Sequence, residues 1–338
     1  MAGVAGLVVR DPVITAGLVR TLERLKERQG AEGQIASNFE MRQREPAKVS
    51  FGTLAPRIDA TTWYLIGVAL AARAGDLDPE PFRESVLAVV HLLNALEYNG
   101  RHLIYVPAGG NWADEYVYDG YVLYDQVLRA WALRLCGDVY REPAFTAKAA
   151  AIGERIATAY APTSESPRQH PPASFSPLGV RDTFDLAACA LLALSDVAPE
   201  LGTLALDFID ERFLARGVLP PAFHPVIEEG HVDWPALRAY HLHGFRNHPH
   251  EYHNGGVWPI WLGWLALALA RAGRDSALAR LRALVHASAI TRQGFDFQEF
   301  LHGASGAPGG TTSMAYTATG LVFLRVADAP STLALLAP

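Results

Sequence analysis

Cysteine is nearly missing: Cys136 and Cys189 are the only two in 338 residues. Each sits in an apolar, helix-like run where a small buried thiol is expected, and two thiols build no disulfide framework. Charge is also sparse. Asp, Glu, Lys and Arg make up 19% of the chain, the net charge is −6, and no run of Lys or Arg occurs. Without such a footprint a nucleic-acid partner is excluded. Long hydrophobic runs are lacking too, because the most apolar stretch, GGVWPIWLGWLALALARAG, is broken by Pro259 and Gly263. That suits a buried core helix better than a membrane span. The opening MAGVAGLVVRDP has no basic residue ahead of its short apolar run, so no signal peptide is read there and the expected location is cytoplasmic.

What is present is a folded globular composition, half hydrophobic and 10% aromatic. Apolar residues recur at three- and four-residue spacing, and no long stretch alternates with period two, so the fold is expected to be all-α. Candidate helices cover 12–28, 59–73, 79–97, 120–136, 142–160, 182–196, 198–214, 256–273, 274–289 and 311–327. Those at 79–97, 142–160, 198–214 and 274–289 carry charges along one face, as half-solvated helices do. Those at 59–73, 120–136, 182–196, 256–273 and 311–327 are apolar or aromatic all round, as buried helices are. Alternation of the two kinds predicts helical hairpins wound into an α/α barrel, one domain over residues 1–338.

Each inner helix follows an irregular segment rich in polar and aromatic residues: APRID, GGNWADEYVYDG, SFSPLGVRD, NHPHEYHNGGVWP and FDFQEFLHGASGAPGG. Parallel inner helices bring these segments to one end of the barrel. A cleft there would offer Trp63, Trp112, Tyr116, Tyr121, Tyr252, Trp258 and Tyr316 beside Asp59, Asp114, Glu115, Asp182, Glu251 and Glu299. Aromatic faces with carboxylates suit a neutral, hydroxyl-rich ligand, which describes a small carbohydrate. Two carboxylates across a glycosidic bond supply a general acid and a general base, and such hydrolysis needs no cofactor.

Each feature also has a plainer role. An Asp ahead of a helix, as at Asp59 and Asp182, is often an N-cap. Glu299 has no such structural use, lying in an aromatic loop with Phe295, Phe297 and Phe300. His248, His250 and His253 are spaced closely enough to share a metal, yet no thiolate pair, His-Glu-x-x-His helix or acidic calcium loop accompanies them. They are read as hydrogen-bonding side chains, with no metal site. HNGGVWP reads as a tight turn into a buried helix, with Gly255 and Gly256 providing positive φ or close approach and Pro259 the first helical turn.

Five pieces in order carry a resemblance: AEGQIASNF at 31–39, APRIDATTWYLI at 55–66, SFSPLGVRDTFDLAACALLAL at 174–194, HPVIEE at 224–229 with YHNGGVWP at 252–259, and FQEFLHG with MAYTATGL at 297–321. The chain thereby resembles glycoside hydrolase family 100, the neutral and alkaline invertases, and more loosely the six-hairpin α/α-barrel glycosidases. The resemblance implies an (α/α)6 barrel and an inverting hydrolase with Asp59 as general acid and Glu299 as general base. It also implies that Arg181, Asp182, Tyr252, His253, Asn254 and Trp258 line sugar subsites. Trp63, Trp112, Asp114 and Glu115 join them on the cleft argument. Where the invertases carry an acidic-Arg-Arg segment this chain has NWADEYVYDGY; related barrels use a carboxylate near there, so Asp114 or Glu115 is the alternative acid. The last inner helix reads TSMAYTATG in place of the invertases' Gln-Thr-Trp. MAGVAGLVVRDP aligns with the end of the family's first inner helix, so that helix is expected to be truncated, with Arg10 and Asp11 in the turn after it. Sucrose is the leading substrate. The alternatives are an α-glucosidase or α-mannosidase acting on a glycosyl-polyol, a glycosyl-acid or an α-1,6-glucan, and a sugar-binding barrel without catalysis. The oligomeric state is open.

Overall fold

Local signals set the helix ends. Asp11 accepts hydrogen bonds from the backbone N–H groups of Val13 and Ile14, both at 2.9 Å, and Pro12 fills the first helical position. Arg10 and Arg141 close their helices in the left-handed conformation, at φ 56° and 53°. The computed structural model describes residues 1–40, 48–97, 100–164 and 166–337. Its helices come as hairpins: α1 (Ala2–Val9) with α2 (Pro12–Glu27), α3 (Ile58–Arg73) with α4 (Arg83–Ala95), α5 (Leu123–Tyr140) with α6 (Pro143–Ala159), and α7 (Leu186–Ser195) with α8 (Pro199–Arg212). After the short α9 (Trp234–Ala239) come α10 (Pro259–Arg271) with α11 (Asp275–Ala287), and α12 (Ala315–Val326) with α13 (Pro330–Leu335).

The first members of these hairpins form a closed ring. α3 packs on α5, α5 on α7, α7 on α10, α10 on α12, and α1 closes the circuit between α12 and α3. This is the expected barrel of six inner helices, of which the first is the eight-residue α1, with Val4, Ala5, Leu7 and Val8 buried in the core. The sequence periodicity missed α1, α9 and α13, each too short to show a full amphipathic repeat.

α5, α7, α10 and α12 begin at Leu123, Leu186, Pro259 and Ala315 rather than at 120, 182, 256 and 311. The reason is main-chain pairing just ahead of them. Tyr121–Val122 pair with Ser174–Phe175, and Phe184–Asp185 with Phe223–His224. Hydrogen bonds link one helix entrance to the next: Ile58 N–H to Gly110 O, Leu123 N–H to Ala173 O, Leu186 N–H to Ala222 O, and Ala222 N–H to Gly256 O. Val257 and Leu301 exchange two more, each 2.8 Å long. A belt of backbone bonds therefore runs round the mouth of the barrel from α3 to α12. It satisfies groups that the helices themselves leave unpaired.

The tightest crossing in the ring is α10 on α12. A Cβ on Gly263 would stand 2.5 Å from the Gly320 carbonyl oxygen, and one on Gly320 would stand 2.0 Å from that of Pro259. Both contacts are with backbone, which cannot swing aside. Gly320→Ala is expected to destabilise the protein by about 2 kcal/mol or more through overpacking. A thermal melt checks this, and an unchanged midpoint would show that the crossing has slack.

Candidate active site

Two helix entrances and two loops bring charged side chains together. Asp59 lies in the first turn of α3, not ahead of it, and caps nothing; Arg57 occupies the N-cap position. The Asp59 side chain is 7% exposed and holds Arg57 through Nε to Oδ1 at 3.2 Å and Nη2 to Oδ2 at 3.5 Å. The third arm of that guanidinium, Nη1, reaches Asp114 Oδ2 at 3.1 Å. Burial works against the Arg57 charge, but Asp59 and then Asp114 more than offset it and hold its pKa above the ordinary value. Arg57 thus clamps two carboxylates, and the sequence reading had not singled it out. Its spacing from Asp59 in APRID was the available signal.

Asp114 keeps 40% of its side chain exposed. Burial raises its pKa, Arg57 opposes this, and the neighbouring Glu115 charge adds to the rise. Glu299 stands in the segment ahead of α12, half-buried, its backbone N–H bonded to Thr311 O at 2.9 Å. Burial raises the Glu299 pKa as well, against a hydrogen bond from the Thr311 N–H and the attraction of Arg246. Asp114 and Glu299 therefore hold protons to higher pH than ordinary side chains do.

Asp59, Asp114 and Glu299 line one cavity of about 710 Å³ together with Trp63, Trp112, Tyr252 and Trp258. Each aromatic is fixed. The Trp63 indole N–H donates to Tyr124 Oη at 2.9 Å, and that of Trp258 to Tyr252 O at 2.9 Å. Trp112 stacks on Phe223 with centroids 5.7 Å apart and planes 6° from parallel. Tyr252 carries the Arg246 guanidinium 4.0 Å from its ring centroid. Tyr316 and Met314 complete the wall near α12.

Five expected site residues lie off that wall. Glu115 is 3% exposed and both oxygens are taken: Oε1 by Leu242 N–H at 3.2 Å and Arg246 Nη2 at 3.0 Å, Oε2 by Arg246 Nε at 3.3 Å. It orients Arg246 and the loop after α9. Arg181 is committed to Asp233 at 2.7 Å and Asp182 to Arg168 at 3.0 Å. The N-cap of α7 is Asp185, which accepts from Ala188 N–H at 3.1 Å, so the cap expected of Asp182 falls three residues later. Asn254 is fully buried, accepting from Ile227 N–H and donating to Ile227 O and Asn247 O. His253 is fully buried too, its ring 3.9 Å from Tyr252 and 5.5 Å from Trp258. Burial, then Arg246 and Arg57, hold His253 well below the usual histidine range, so it is neutral. Among the described residues no group of three His, Cys, Asp or Glu could hold a metal ion.

Tyr116, offered by the sequence to the cleft, lies beneath it, stacked on Phe223 at 4.1 Å, while Tyr121 and Glu251 are absent from the cavity wall. The turn at Tyr252–Trp258 forms as read: Gly255 has φ 95°, and a Cβ on Gly256 would meet Tyr252 O at 2.4 Å. Behind the site, Asn111 donates to the buried Asp125 at 2.8 Å and accepts from Tyr118 Oη and Ala113 N–H, which anchors the segment carrying Trp112 and Asp114. Burial, then the charge of Asp59, pushes the Asp125 pKa well above its ordinary value.

Among the described residues no helix is long and apolar enough to cross a membrane. No family model matches the chain, and no curated protein matches it. Solved structures do. A rhamnosidase from Klebsiella oxytoca with rhamnose bound matches at a TM-score of 0.58 and 13% identity, over 87% of this chain and 50% of that one. A glycosidase variant in complex with glucose matches at 0.56 and 17%, over 100% and 81%. The fold is also that of the family 63 glycoside hydrolase from Thermus thermophilus, a mannosylglycerate hydrolase seen with Tris and D-glycerate, which matches at a TM-score of 0.65 and 14% identity over 96% of this chain and 92% of that one.

Proposed function

We propose that the chain, residues 1–338 as one catalytic domain, is an inverting glycoside hydrolase acting on a small glycoside. The carrying observation is the convergence of Asp59, Asp114 and Glu299 with a fixed aromatic wall in one cavity of about 710 Å³, a size that suits a sugar ligand. The likeness to several glycosidase structures supports the same reading. Glu299 is the general base. Asp114 suits the general acid better than Asp59: it is more exposed, and its raised pKa keeps a proton available, whereas both Asp59 oxygens accept from Arg57. Asp59 and Arg57 then grip the sugar, with Tyr252 and Trp258 against its C–H face.

Sucrose belongs in the first substrate screen, beside glycosyl-polyols and glycosyl-acids such as mannosylglycerate, which the Thermus hydrolase is named for. Proton NMR of the first turnovers tests the reading, because an inverting site releases sugar of the opposite anomeric configuration. Retention of configuration would overturn the mechanism. Binding without any turnover would instead favour a sugar-binding barrel.

A further inference from the structure

Asp114 and Glu299 are both carboxylates, and their own chemistry does not decide which of them keeps a proton. Their surroundings do. Glu115 follows Asp114 in the chain, and both its oxygens hold Arg246, Oε1 to Nη2 at 3.0 Å and Oε2 to Nε at 3.3 Å. The guanidinium so fixed lies 4.0 Å from the centroid of the Tyr252 ring. That ring is 6.0 Å from the ring of Phe300, the residue after Glu299. The ion pair therefore runs from the segment of Asp114, by way of Tyr252, to that of Glu299. Asn247, next to the arginine, donates to Glu115 O at 2.8 Å and accepts from the His253 and Asn254 N–H groups, which holds the loop in place.

An ion pair acts on a nearby carboxyl group chiefly through its nearer end. At Asp114 the Glu115 charge outweighs that of Arg246 and favours the protonated form. At Glu299 the order is reversed, with Arg246 outweighing Glu115 and favouring the carboxylate. Such a split is what an acid and a base need from their environment. We propose that Glu115 and Arg246 are positioning residues, a fixed dipole laid with its negative end at Asp114 and its positive end toward Glu299, which keeps a proton on the first and off the second. This rests on the glycosidase reading given above and adds to it the device that assigns the two roles. Arg57 and Asp59 also act on Asp114, and Tyr240 and Tyr252 face it. Glu299 is faced by Tyr252, Asp114 and the Thr311 N–H. Exchanging the ion pair leaves all of these in place.

The test is the pH profile of kcat/KM on a glycoside from the substrate screen, whose acidic limb reports the base and whose alkaline limb reports the acid of the free enzyme. The double variant Glu115→Gln, Arg246→Met removes both charges with little change in size. Its acidic limb should rise and its alkaline limb fall, each by about half a pH unit, so the working window narrows from both sides. Glu115→Gln alone removes only the negative end. Both limbs should then fall, the alkaline one further. Arg246→Lys keeps the charge and should keep the parent limbs. A pair that serves only the fold would lower the rate and move neither limb; that result overturns the dipole, as do limbs that move together in the double variant. If the double variant does not fold, Glu115→Gln decides alone, and equal or reversed shifts overturn the orientation. Should no glycoside turn over, the glycosidase reading fails by itself. Carbon-13 NMR of the side-chain carboxyls, assigned with Asp114→Asn and Glu299→Gln, then reads the two titrations directly: opposite shifts in the double variant support the dipole, and unmoved titrations overturn it.

Discussion

Glu299→Gln should leave the barrel folded and lower kcat by about a thousandfold, within the range usual for a general base. The isosteric amide keeps an oxygen for the Thr311 N–H, which lies 3.4 Å from Glu299 Oε2, so the loop has no reason to collapse. What it removes is the basic oxygen that takes the proton from water. The pH profile gives an independent reading. A base works ionised, so activity falls as pH drops through its pKa. Burial raises that pKa in Glu299, which places the acidic limb above that of an ordinary carboxylate, and in the Gln variant this limb should vanish from the residual activity. Turnover within a few-fold of the parent, with the limb intact, would remove Glu299 from the base role.

Asp114→Asn should separate substrates by their need for a proton. On an alkyl glycoside, whose leaving oxygen must be protonated, the loss should be about a thousandfold. On the glycosyl fluoride of the same sugar, which departs without an acid, the loss should stay below about tenfold. Asp59→Asn should cost the two substrates equally, since it loosens the Arg57 grip rather than the proton supply. The reverse pattern, with Asp59→Asn spared on the fluoride and Asp114→Asn not, would make Asp59 the acid. In the parent the alkaline limb belongs to the acid, which must stay protonated; the raised pKa of Asp114 moves that limb upward.

The ring of inner helices was legible because burial on every side leaves a composition signal: α7 is LAACALLALS and α10 is PIWLGWLALALAR. Helix starts were less so, since the residues just ahead of α5 and α7 are committed to pairs with distant segments that a local pattern does not contain. Among candidate site residues, Asp59, Trp63, Trp112, Asp114, Tyr252, Trp258 and Glu299 reach the cavity. Glu115, Arg181, Asp182 and Asn254 have the right residue types in the right segments, but ion pairs and hydrogen bonds with other segments claim them, and His253 is packed among the rings of Trp112, Tyr252 and Trp258. Arg246 lies 131 residues from Glu115, and Asp233 lies 52 from Arg181. Only the fold assigns those partners. The same holds for Arg57, whose importance comes from the 57-residue separation it spans to Asp114.

The belt of backbone bonds around the barrel mouth runs from the entrance of α3, through those of α5, α7 and α10, to the segment before α12. Mechanically it is a tie-line: main chain holds each helix entrance to the next, so the arc that carries Asp114, Tyr252 and Trp258 should resist widening and be unforgiving of any change in the ring it grips.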